Sequence, residues 1–141
     1  MTSYRSSRPE KPPPVVCDMT RAQDSPADRI AEYGRLFTGS LLGRSRTSAG
    51  IRFRFRADPG LEDWVRDLAR REKECCQFFT FDVQARETEV WWDASVADDD
   101  MARHILDEFY NLPDNIADGD AAVRRGFQDQ GLRFIQSPDA T

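Results

Sequence analysis

Histidine occurs once in this chain of 141 residues, at position 104. A serine–histidine–aspartate centre would have to draw on that single imidazole, and the G-x-S-x-G elbow that presents such a serine in many hydrolases is missing. Missing too is any glycine-rich loop of the phosphate-cradling kind. No apolar run approaches the ~20 residues that a membrane-crossing helix needs, so no membrane association is expected. Met1 to Pro14 is polar and proline-rich without an apolar stretch, which does not read as a secretory signal, and a cytoplasmic location is the expectation. Lysine and arginine are outnumbered by acids, 20 to 25, leaving a net charge of −5. Such a surface repels phosphate backbones and argues against general nucleic-acid binding. Cysteine is scarce as well. Three residues, an odd number, argue against a disulfide framework and for thiols that are reactive, metal-binding or simply buried.

What remains is an ordinary globular composition, 39% hydrophobic and 32% charged, enough for one domain with a modest core. Residues 1–14, with Pro12, Pro13 and Pro14, read as a disordered, extended arm. Ser25-Pro26-Ala27-Asp28 is a helix start: serine caps, proline suits the first helical position, and an acid suits the positive end of the dipole. Ile30, Tyr33, Phe37 and Leu41 then recur at helical spacing, predicting a helix over 26–42. A short strand at 44–47 returns through Ser48-Ala49-Gly50 into a firm strand at 51–56. There Ile51, Phe53 and Phe55 alternate with Arg52, Arg54 and Arg56, the pattern of a strand with one wet face.

Asp58-Pro59-Gly60 breaks that strand and opens a helix over about 60–77. Strands near 79–86 and 89–95 follow, turning at Glu87-Thr88. A third helix spans about 97–111, with Met101, Ile105, Phe109 and Leu112 on one face, and stops before Pro113. Residues 113–141 form a weakly patterned extension, in which 120–126 suggests a short helix and 132–135 a strand or docking segment. The order predicts an α+β fold in residues 15–112: an antiparallel sheet of about four strands with helices packed on one face.

The second helix carries a local conflict. Leu61, Trp64, Val65, Leu68 and Ala69 share one face, and Glu72 falls in the middle of it, where an apolar residue is expected. Cys75 and Cys76 flank Glu72 at i+3 and i+4. A carboxylate on a buried stripe is costly unless paired, protonated or bound to a cation. Burial is expected to raise its pKa, and the carboxylate to disfavour thiolates unless a metal is present. An arginine from the sheet could pair with it instead. If the short apolar stretch around Cys17 crosses this helix, the set becomes three sulfurs and one carboxylate oxygen. That suits zinc, copper(I) or mercury(II) rather than magnesium or calcium. A Cys75–Cys76 disulfide would close a strained ring, and the spacing is not that of a C-x-x-C redox pair.

The other chemistry-bearing residues have plainer readings. His104 lies off the apolar face of its helix and reads as a surface residue. Trp91 and Trp92 must point to opposite faces of their strand. Asp98, Asp99 and Asp100 fit the first turn of a helix better than a metal cluster.

These elements resemble a family of short, largely uncharacterised bacterial proteins with a C-x-[LM]-T element near the N-terminus and E-x-x-C-C-P-F-[LF]-x-F at a helix end. Here they stand as Cys17-Asp18-Met19-Thr20 and Glu72-Lys73-Glu74-Cys75-Cys76-Gln77-Phe78-Phe79-Thr80-Phe81, within a similarity that spans residues 15–112. Sequences of this kind often occur beside, or appended to, metal-responsive regulators of the mercury-resistance type, which implies a soft-metal or thiol role. Gln77 stands where the family has proline, which is expected to let the helix run past Cys76.

Three functions fit. The first is soft-metal binding through Cys17, Cys75, Cys76 and Glu72. The second is an enzyme in which the thiols hold a soft electrophile while Glu72 serves as general acid, as in carbon–metal bond cleavage or a specialised biosynthetic step. The third is an interaction or ligand-binding module, with packed cysteines and the outer sheet face as a surface for a homodimer or a protein partner.

Overall fold

The alternation at Ile51–Arg56 is the seed of the architecture. In the computed structural model, which describes residues 15–135, Ile51, Phe53 and Phe55 are fully buried, while Arg52, Arg54 and Arg56 face outward. This strand, β3 (Ile51–Arg56), pairs antiparallel with β2 (Leu41–Arg46) on one side and β5 (Glu89–Val96) on the other. β4 (Phe79–Ala85) closes the far edge, giving a four-stranded sheet in the order β2-β3-β5-β4. Val90, Trp92 and Ala94 extend the buried face along β5. Helices α1 (Pro26–Ser40), α2 (Leu61–Cys75) and α3 (Asp100–Tyr110) cover it. Tyr33 stacks on Trp92 and Phe37 on Phe55, while Phe109 meets Trp92 and Phe53 edge-on. The α+β fold with helices on one face of an antiparallel sheet is what the pattern predicted.

The ends of the elements differ from the sequence reading for identifiable reasons. Helix α1 begins as expected, with Ser25 and Asp28 forming a reciprocal capping box. It stops at Ser40 rather than 42, and Leu41 opens β2 directly. Thr38, Gly39 and Ser40 are weak helix formers, and Leu41 is already extended. In the β2–β3 hairpin only glycine fits at Gly50, because a Cβ there would lie 2.1 Å from the Ala94 carbonyl oxygen. Gly60, with φ of +79°, makes the entry to α2. Helix α2 ends at Cys75, two residues before the expected end. Gln77 does not prolong it: Cys76 leaves helical geometry, and Lys73 Nζ donates to the carbonyls of Gln77 and Phe79 in the turn that follows. Helix α3 starts at Asp100, capped by the Asp99 carboxylate on the Ala102 N–H. Met101, expected on the buried face, is exposed; Ala102, Ile105, Leu106 and Phe109 make the buried stripe.

The outer sheet face is a lattice of ion pairs. Arg52 is bidentate to Asp93, Arg54 meets Glu89, and Arg56 meets Asp58. Trp91 lies between the guanidinium groups of Arg52 and Arg86, while Trp92 is in the core, so the two do point to opposite faces.

Residues beyond 112 join the same core. A short helix α4 (Leu112–Asn115) and a 3-10 turn (Ile116–Asp118) lead into α5 (Asp120–Asp129), longer than the 120–126 expected, and then strand β6 (Arg133–Ile135). β6 pairs in parallel with β1 (Val16–Asp18), placing Cys17 opposite Phe134. Val123 and Leu132 are buried in the central cluster. The arm expected at 1–14 lies outside the described residues. No helix among the described residues is long and apolar enough to cross a membrane.

Candidate functional site

Glu72 sits where its helical position put it, on the inward face of α2, and its cost of burial is met by a cation. Arg29 Nη1 donates to Glu72 Oε1 at 2.5 Å, and the Tyr33 hydroxyl donates to Oε2 at 3.1 Å. The arginine comes from helix α1, not from the sheet, where Arg52, Arg54 and Arg56 are paired on the opposite face and Arg44 and Arg46 of β2 pair with Asp114 and Asp107. Arg29 is itself 4% exposed and gives its other donors to Asp24, Nε to Oδ2 at 2.6 Å and Nη2 to Oδ1 at 2.8 Å. Burial works against its charge, but the hydrogen bond to Asp24 and the charge of Glu72 outweigh it and raise the Arg29 pKa. Burial and the adjacent Glu72 carboxylate hold the Tyr33 hydroxyl protonated well above the ordinary tyrosine range.

The adjacent cysteines part company at the helix end. Cys75 is the last helical residue and borders an open polar cleft of about 520 Å³, lined by Arg21, Asp24, Arg29, Arg70 and Arg71 among others. Its sulfur lies 3.9 Å from Arg29 Nη2. Burial pushes its pKa up to about 11 against the pull of the Arg29 charge. Cys76 has turned the other way, with φ −122° and ψ 76°, and borders an inner apolar cavity of about 50 Å³. There it meets Cys17. The neighbouring Cys17 thiol, with burial second, pushes the Cys76 pKa well above the thiol range. Glu72, Arg29 and Tyr33 border the same inner cavity, and Phe109, Val123, Phe127, Leu132 and Phe134 complete its apolar wall.

All three cysteines are free and buried. The geometry brings Cys17 and Cys76 to one cavity, leaves Cys75 beside the Arg29 guanidinium at the cleft, and engages both Glu72 oxygens with other donors. Among the described residues no three histidine, cysteine, aspartate or glutamate side chains are grouped so as to hold a metal ion. Of the four residues singled out in the sequence, Cys17, Cys76 and Glu72 line one cavity, and Cys75 lines the cleft instead. His104 is exposed on α3, and Asp98 and Asp100 pair with Arg103.

Arg29 and Asp24 were not singled out in the sequence. The usable signal was that a glutamate on an apolar face demands a partner, and Arg29 stands one helical turn before Tyr33, beside Ile30 on the inward stripe. No known protein family, curated protein or solved structure matches the chain.

Proposed function

We propose that the protein binds a soft, thiophilic metal ion in the cytoplasm, with Cys17 and Cys76 as the sulfur donors. The observation that carries this reading is the meeting of Cys17, from β1, with Cys76, from the end of α2, at an apolar cavity beside a carboxylate. Of zinc, copper(I) and mercury(II), the last two are the better fit, since both accept two sulfurs in near-linear geometry whereas structural zinc asks for four ligands. Glu72 acts as a neighbouring charge held in place by Arg29 and Tyr33, and Cys75 as a thiol on the entry side.

Protein purified without oxygen and titrated with mercury(II), copper(I) and zinc against competing chelators tests the reading. Mercury(II) or copper(I) is expected to bind one per chain. Cys17→Ser and Cys76→Ser should each abolish tight binding, while Cys75→Ser retains it. Unchanged affinity in a Cys17→Ser/Cys76→Ser double variant would overturn it.

The hydrogen bond from Tyr33 to Glu72 favours a second reading, an enzyme in which this pair returns a proton to carbon while the two sulfurs keep the metal. In that step the carbon–metal bond breaks, its electron pair takes the proton, and the metal stays on sulfur. Tyr33→Phe and Glu72→Gln would both have to lower turnover for this reading to stand.

A further inference from the structure

The wall facing Cys17 and Cys76 is as informative as the thiols. A bare ion needs only sulfur, yet the two sulfurs open onto a cavity bounded by Ile105, Phe109, Leu132 and Phe134, and its surface is almost wholly apolar. At about 50 Å³ it exceeds the ~10–15 Å³ that one water requires, but its lining offers water almost no polar partner. The room suits a heavy atom carrying a methyl-sized group and excludes an aromatic ring. The donor count agrees, because two thiols leave the third valence of a trivalent centre unfilled, and no third protein donor is grouped with them among the described residues.

We infer that the inner cavity takes a soft metalloid bearing one small apolar group, with monomethyl arsenic(III) as the simplest member of the class. This rests on the Cys17–Cys76 reading above. The exchange balances without an oxidant or reductant. Two arsenic–sulfur bonds form, two arsenic–oxygen bonds break, and each thiol proton departs with a hydroxide as water. A neutral dithiol and a neutral dihydroxy-methyl arsenical give a neutral product, so no charge is stranded in the apolar space. The methyl group then occupies the volume that is otherwise empty, toward Phe109 and Leu132.

Native mass spectrometry of the full chain with methyl arsenic(III), inorganic arsenite and phenyl arsenic(III), each in competition with a dithiol chelator, tests this. The methyl compound is expected to bind one per chain, at least ~10-fold tighter than the phenyl compound or arsenite, and to shield Cys17 and Cys76, but not Cys75, from alkylation when the protein is unfolded in urea. Leu132→Ala, checked for folding by circular dichroism, should enlarge the cavity and raise the affinity for the phenyl compound. Equal affinity for the methyl and phenyl compounds, or tighter binding of arsenite, overturns the inference. A mercury(II) titration run alongside separates the two readings. Mercury(II) bound by Cys17 and Cys76 without the methyl arsenical defeats this inference alone, whereas neither ligand bound by that pair defeats both.

Discussion

Arg29 Nη1 lies 2.5 Å from Glu72 Oε1, and this pair locks helix α1 against helix α2 beside the inner cavity. Arg29→Met should leave two carboxylates, Asp24 and Glu72, without their main cation and lower the urea-unfolding free energy by about 3–5 kcal/mol. Glu72→Leu should cost less, because Arg29 keeps Asp24. The double variant should fall well short of the sum of the two losses, and strict additivity would mean the pair is not coupled.

The thiols make the fold sensitive to alkali. Cys75 is pushed from 9.0 to about 11, and Cys76 also lies well above 9.0. A group whose folded pKa exceeds its unfolded one contributes stability that is complete below the unfolded value and is lost as pH rises through the folded one. The urea midpoint should therefore hold up to about pH 9 and fall between 9 and 11. A Cys75→Ser/Cys76→Ala variant should flatten that decline, and an identical slope would refute the assignment.

Reactivity should follow the partition of the thiols. In native protein, iodoacetamide followed by peptide mapping is expected to label Cys75 first, slowly at neutral pH and faster as pH approaches 11, because only Cys75 borders the open cleft. Cys17 and Cys76 should be labelled at rates that track unfolding. Equal labelling of all three would overturn this partition of the thiols between cleft and cavity.

At the β2–β3 hairpin, Gly50→Ala would set a Cβ 2.1 Å from the Ala94 carbonyl oxygen and 3.0 Å from Ser95 Cα, both backbone atoms that cannot step aside. A loss of about 1–3 kcal/mol is expected in urea unfolding. Gly39→Ala, which meets nothing within 4 Å and lies in the last turn of α1, serves as the control and should be neutral or slightly stabilising.

The sequence disclosed the sheet and the conflict on α2 because both are periodic. β3 was read to the residue, and Glu72 stood out because apolar positions surrounded it. What stayed hidden was non-periodic or non-local. The segment of β6 was read as a strand or docking segment, but its parallel pairing with the three-residue β1 joins segments far apart in the chain and left no trace in the pattern. Glu72 announced that it needed a partner but could not say which of many arginines would supply it. The parting of Cys75 from Cys76 depends on one backbone turn at the helix end, set by the burial of Phe78 and Phe79 just beyond. Met101 continued a helical stripe on paper, yet it lies in the first turn of α3 and remains exposed.

The pairing of β1 with β6 also bears on when the thiols can meet. The only strand partner of β1 among the described residues is β6, so the segment carrying Cys17 is held by a contact that closes a loop of almost the whole described chain. Contacts of such long sequence separation bear a large closure entropy and form late. A ribosome-bound chain that has not yet emitted Arg133 to Ile135 lacks the strand that holds Cys17 in position. Until then the sulfur of Cys76 has no fixed counterpart, and a soft ion met during synthesis would find two separate thiols instead of a chelate.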